Sequence, residues 1–136
     1  QQQADEAIAY SPEAICILGG TNDVFDKRYD IDHTIAELDD LLTKVSKANI
    51  ACIVTLVPYT RSANAANTIK TLNHRIETIC NRHNAKVIDL NPTIAPENVL
   101  LRQYSTDQVH FSEAGYDVWS QKIREMIKKI NSPDPR

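Results

Sequence analysis

Three short, almost wholly apolar segments alternate with segments whose apolar residues recur at helical spacing. Ala14-Ile15-Cys16-Ile17-Leu18, the run from Ile50 to Val57, and Lys86-Val87-Ile88-Asp89-Leu90 have the length and content of strands. Continuous apolar character, rather than strict alternation, suits strands covered on both faces, as in a parallel sheet. The second run stops at Pro58, which has no N–H to give to a ladder, and the third ends at Asn91-Pro92.

Between the first two runs, Ile31, Ile35, Leu38, Leu41, Leu42 and Val45 trace one face of a helix. Asp30 or Asp32 is placed to cap its start, and Lys44 and Lys47 lie near its end, where cations suit the helix dipole. A second helix carries Ile69, Leu72, Ile76, Ile79 and Cys80 on one side and Lys70, Asn73 and Glu77 on the other. A third follows Ser112, its candidate N-cap, with Trp119, Ile123, Met126, Ile127 and Ile130 facing inward. Gln1 to Tyr10 has the spacing of a helix tail through Ala4, Ile8 and Ala9, and residues 131–136 form a polar, proline-broken tail. Alternating periods of this kind, joined by crossovers, predict a three-layer α/β/α sandwich around a flavodoxin-like parallel sheet of about three strands. The predicted single domain spans residues 1–130. In such folds function lies beyond the carboxyl ends of the strands, so the residues after Leu18, Val57 and Leu90 carry the most interest.

Composition narrows the possible functions. Of 136 residues, 42% are apolar and 24% charged, as in one globular domain. With 15 Lys+Arg against 18 Asp+Glu, net charge −3 and no basic cluster, the electrostatic footprint of a nucleic-acid binder is missing. No apolar run approaches the roughly 20 residues needed to span a bilayer. Cys16, Cys52 and Cys80 show no paired spacing and are expected to be buried small hydrophobes. His33, His74 and His83 fall on or beside predicted helices with no motif around them, so surface roles are expected.

Two blocks carry candidate chemistry: Gly19-Gly20-Thr21-Asn22-Asp23 directly after the first strand, and Asp107-Gln108-Val109-His110 ahead of the last helix. Together they resemble the G-x-N-D and D-x-x-H blocks of the SGNH (GDSL-type) hydrolase superfamily. The likeness extends to Gly115-Tyr116 and Trp119, similar to the start of that family's last helix, and to Ser11-Pro12-Glu13 before the strand. It covers nearly the whole chain in order and spacing.

The resemblance implies a serine-dependent ester hydrolase. An imidazole, whose unperturbed pKa is about 6.5, suits the task of taking a hydroxyl proton near neutral pH, and by resemblance that base is His110. Asp107 is the matching carboxylate, which would fix the imidazole tautomer and stabilise the imidazolium. Asn22 matches the family's side-chain donor to the developing oxyanion, a contribution of roughly 3–4 kcal/mol to the barrier. Gly20, and Tyr59 in the loop after the second strand, are expected to border the substrate, and Arg61 is a further candidate. Blander readings stand beside these. Asn22 could form an Asx-turn, Asp23 suits loop-bracing or capping better than catalysis, and the segment from Asp107 to His110 could be a solvated loop ahead of a Ser112 cap. A lone D-x-x-H offers too few ligands for a closed zinc site, so neither metal nor cofactor is expected.

The family's nucleophile sits in a G-D-S block, and no Gly-Asp-Ser occurs in this chain. Ser105, the serine nearest the Asp–His pair on its strand side, lacks a nucleophile-elbow context. The family's sheet order would set the serine-bearing strand beside the one ending at Leu18, so an unpaired apolar strand edge is expected here. That edge would receive a complementing N-terminal segment, if the chain is a fragment or half of a split protein, or a second copy. On this reading the 136-residue chain alone is nearly inactive, and the complete protein takes a small acyl ester, an acetylated sugar or a lipid. A non-catalytic binding module that keeps the fold is the alternative. A flavodoxin-like or receiver-like regulatory domain is a third possibility, but Gly19-Gly20 alone is a poor phosphate cradle.

Overall fold

The computed structural model describes residues 14–17, 30–105, 107 and 111–131. Their elements are β1 (Ala14–Ile17), α1 (Ile31–Lys47), β2 (Ala51–Thr55), α2 (Ala66–Arg82), β3 (Lys86–Ile88), the short α3 (Asn91–Ile94) and α4 (Glu113–Asn131). The predicted helix over the first ten residues lies outside the described residues.

The three strands form one parallel sheet in the order β1-β2-β3. Ala14 pairs with Ala51 and Ile17 with Val54, while Ile53 pairs with Lys86 and Thr55 with Ile88. Successive side chains of a strand point to opposite faces, and β2 shows what covers each. Cys52 borders a cleft with Leu42 and Ser46 of α1 and His83 at the end of α2. Thr55, on the other face, accepts a 2.9 Å hydrogen bond from the indole Nε1 of Trp119 in α4. The sheet therefore lies between α1 and α2 on one side and α4 on the other, the three layers expected from the alternating periods.

The core is made by the apolar faces read from the sequence. Val45, Ile53, Ile69, Leu72, Cys80 and Ile94 are fully buried. Asp30 caps α1, its carboxylate accepting from the amides of Asp32 at 2.9 Å and His33 at 3.4 Å. Both long helices of this layer end in the same device. Asn49 and Asn84 adopt left-handed backbone (φ 58° at each) just past the helix ends. The following amides reach back, Ile50 N to Val45 O at 3.2 Å and Ala85 N to Cys80 O at 2.9 Å, which is the Schellman arrangement that satisfies orphan carbonyls. His83 and Asp39 meet at 2.5 Å, and Arg75 and Asp32 at 2.5 Å, tying α1 to α2.

Three local expectations are corrected. Cys16 is exposed while Cys52 and Cys80 are buried: among the described residues β1 has a neighbouring strand on one side only. Burial pushes the Cys52 thiol up to about 12 and the Cys80 thiol up to about 11. Asn73 belongs to the buried side of α2, not its solvent face, because its amide has backbone partners inside. Strand β3 closes at Ile88, short of the predicted Leu90, and Asn91-Pro92 opens α3, with Pro in the first turn, where its missing N–H costs nothing. The apolar residues of α4 pack on the core but stay half-buried, as suits an outer layer.

Candidate active site

Beyond β2 the ladder continues for one residue, Leu56 N donating to Ile88 O at 2.9 Å, and then side chains replace it. Asn73 accepts from Val57 N at 2.7 Å and donates to Val57 O at 2.8 Å. Asn91 accepts from Tyr59 N at 3.0 Å and donates to Val57 O at 3.2 Å. Pro58, between them, has no amide hydrogen to satisfy. Two buried amides thus do for Val57–Tyr59 what a neighbouring strand would do, in a setting where unpaired backbone groups are costly. The sequence offered a faint signal: an asparagine one helical turn past Ile69 interrupts the apolar stripe of α2.

This anchored segment leads to the loop that carries Asp107. Leu100 N donates to Thr60 O at 3.0 Å, and the Arg61 guanidinium donates to Ser105 O at 2.8 Å. Ser105, itself 1% exposed, forms an antiparallel bridge with Phe111. The ends of the segment containing both Asp107 and His110 are therefore joined at the carboxyl-terminal side of the sheet. Phe111 is held in turn by aromatic neighbours, edge-on to Tyr116 with centroids 5.6 Å apart and tilted against Trp119 at 6.5 Å. Ser112 caps α4 as expected: its hydroxyl accepts from Gly115 N at 3.3 Å and donates to Gln103 O at 2.7 Å. Gly115 is required there, since a Cβ would lie 2.6 Å from Tyr104 O and 3.0 Å from Phe111 Cβ.

Asp107 is exposed, and its Oδ1 accepts from the Ser105 hydroxyl at 3.4 Å. His110, Asn22, Gly20 and Asp23 lie outside the described residues. Tyr59 is buried, at 8% exposure. It borders a cavity of about 470 Å³ between α2 and the segment after β3, with Lys70, His74 and Asp89 among the walls. Burial and the Asp89 carboxylate raise the Tyr59 hydroxyl above its ordinary range. Asp107 is not among the residues lining that cavity. Arg61 borders a separate cleft of about 710 Å³ with Glu97, Leu100 and Arg102. Among the described residues no group of three or more His, Cys, Asp or Glu is placed to hold a metal, and no helix is long and apolar enough to cross a membrane.

Comparison with known proteins adds the following. The model of the GDSL-like lipase/acylhydrolase family matches residues 1–118. No curated protein matches the chain. Among solved structures, a GDSL-like lipase from Bacteroides thetaiotaomicron is 28% identical, with a TM-score of 0.81 over 93% of this chain and 67% of its own. A lipase/acylhydrolase from Enterococcus faecalis is 24% identical, with a TM-score of 0.78 over 99% of this chain and 71% of its own. A catalytic mutant of an acetylxylan esterase from Geobacillus stearothermophilus is 17% identical, with a TM-score of 0.77 over 93% of this chain and 64% of its own. The last two show likeness of fold. The chain spans about two thirds of the length of these structures.

Proposed function

Because the chain belongs to the GDSL-like lipase/acylhydrolase family, a family of ester hydrolases, we propose that it carries the base, acid and oxyanion groups of a serine esterase whose nucleophile lies on a segment outside these 136 residues. His110 takes the serine proton and later returns it to the leaving alcohol. Asp107 orients His110 and stabilises the imidazolium. Asn22 donates to the oxyanion of the tetrahedral intermediate, with Gly20 and Tyr59 bordering the substrate. The substrate is a small acyl ester, an acetylated sugar or a lipid. The acetylxylan esterase among the structural relatives favours the acetylated sugar.

The observation that carries this reading is the Ser105–Phe111 bridge. It joins the two ends of the segment bearing Asp107 and His110 at the side of a parallel sheet where active sites of this architecture form. A second observation bears on the nucleophile. Strand β1 pairs with β2 along one edge and, among the described residues, with nothing along the other. That edge is where a serine-bearing strand or a second copy of the chain would add.

The test uses p-nitrophenyl acetate and a fluorophosphonate label. In the natural protein, His110→Ala should lower kcat by about 10⁴-fold or more, as removal of a triad base does. The labelled serine should map outside residues 1–136, and the pure 136-residue chain should be nearly inactive. A label on a serine of this chain, or His110-dependent turnover by the chain alone, would defeat the proposal about the nucleophile.

A further inference from the structure

We propose that the cleft of about 710 Å³ bordered by Arg61 and Arg102 is a binding site for a free aliphatic carboxylate, a monoanion with a hydrocarbon chain. The site goes beyond the hydrolase reading and does not depend on it; neither Asp107 nor Tyr59 lines the cleft. The first observation is electrostatic. Arg61 is half-buried, and its described hydrogen bond goes to a neutral acceptor, the Ser105 carbonyl, at 2.8 Å. Its Nε is buried without a hydrogen-bond partner, and among the described residues no carboxylate forms an ion pair with it. A guanidinium withdrawn from water without a counter-charge is costly. Arg102 borders the same cleft, is exposed, and has no ion-pair partner among the described residues either. Glu97 is the single carboxylate in the wall. Two guanidiniums against one carboxylate leave one positive charge over, which suits a monoanion better than a dianionic phosphate. The planar fork of a guanidinium also matches the two oxygens of a carboxylate.

The second observation is apolar. Val99, 37% exposed, and Leu101, 39% exposed, are two of the three large apolar residues left open to solvent among those described, and both line this cleft. Single exposed apolar side chains need no explanation. Two of them beside uncompensated guanidiniums make a wall with a place for a charged head and a place for a chain. That wall is fixed by backbone bonds before any ligand arrives. Leu100 N donates to Thr60 O at 3.0 Å, Leu101 N to Ile94 O at 2.9 Å, and Asn98 N to Ala95 O at 3.0 Å, where Asn98 turns the chain in left-handed backbone (φ 64°). A preformed wall lowers the ordering cost of binding. The volume falls within the roughly 300–1,000 Å³ of small-molecule sites.

The experiment titrates octanoate into the natural protein, followed by calorimetry and by amide NMR. Octanoate should saturate with a Kd on the order of 1 mM or tighter, and should shift the resonances of the Val99 and Leu101 amides and of the Arg61 Nε–H. Octanol, which lacks the charge, and acetate, which lacks the chain, should each bind at least about tenfold more weakly, and inorganic phosphate should not displace octanoate. Arg61→Gln also removes the bond to the Ser105 carbonyl, so the site is read from two exposed positions whose side chains have no described partner. Arg102→Gln should weaken octanoate about threefold, and Glu97→Gln, which removes the opposing charge, should strengthen it by a similar factor. The proposal is overturned by the lack of saturable octanoate binding, by octanol binding as tightly, or by displacement with phosphate. Affinity unchanged in both variants, or shifts confined to residues away from the cleft, overturns it as well.

Discussion

Asn73 grips Val57 with both ends of its amide, accepting from the backbone N at 2.7 Å and donating to the carbonyl O at 2.8 Å. Because Val57 is 1% exposed, no water is at hand to take over either bond. Asn73→Leu keeps the volume and strands both backbone groups, at about 1–3 kcal/mol for each. We expect a loss of roughly 3 kcal/mol in urea unfolding, and a loss under about 1 kcal/mol would show that Val57 finds other partners. Asn73→Asp should also destabilise, since the buried carboxylate keeps an acceptor, lacks the donor and adds an unpaired charge.

Replacement of Gly115 by Ala would improve helix propensity at an ordinary position. Here the added methyl meets the Tyr104 carbonyl at 2.6 Å, a backbone atom that moves only with the loop. The prediction is a net destabilisation of about 1–3 kcal/mol, the usual scale of overpacking. It should be read as a lower melting temperature, with a fall in kcat of the natural protein larger than that of a distant variant of equal stability. A more stable Gly115→Ala protein would contradict the packing described.

Thiol chemistry should separate the three cysteines. Cys16 is exposed, whereas Cys52 and Cys80 are buried and are pushed up to about 12 and about 11. At pH 8 the native 136-residue chain should react with Ellman's reagent at Cys16 alone, and the urea-unfolded chain at all three and faster at Cys16, because partial burial raises that thiol as well. The sign of the pH dependence follows. Between about pH 9, the unperturbed value, and pH 11–12 the unfolded chain gives up these two protons before the folded one does. Stability therefore falls as pH rises through that window. Equal reaction of all three thiols in the native protein would refute the burial.

The left-handed asparagines should respond to substitution by backbone preference alone. Asn84 (φ 58°) is exposed, so Asn84→Ala should cost about 1 kcal/mol through αL strain. Asn84→Gly should be neutral or slightly stabilising in the same urea assay. Equal effects of Ala and Gly would mean that the asparagine side chain, not the conformation, closes the helix.

The long elements were legible from spacing because each buries a broad apolar face. The stripe from Ile31 to Val45 and the one from Ile69 to Cys80 became α1 and α2, and the apolar runs became β1 to β3. Strand ends were less legible. Ile50–Val57 reads as one run, yet the strand closes at Thr55, because Asn73 and Asn91 take over pairing, and side chains 16 and 34 residues away leave no trace in the run. The same blindness put Asn73 on the solvent face of α2: hydropathy ranks an amide as polar whether or not it has a buried partner. The place of β1 at the end of the described sheet was implied by the family's sheet order rather than by local pattern, and the exposure of Cys16 was not read from either. Ser112 was legible as a cap. The link between Arg61 and Ser105 was not, since it spans 44 residues.

The bridge between Ser105 and Phe111 also makes the intervening stretch a fixed-length insert. Five positions separate the two residues, and both ends are anchored, one by Arg61 and the other by the aromatic group of α4. Side chains other than those of Asp107 and His110 are then open to exchange within this stretch, whereas an added or deleted peptide unit would change the span between two anchored ends and alter how Asp107 is presented. Tolerance of length changes should instead be found where neither end is held, and engineered insertions that aim to reshape the pocket belong there.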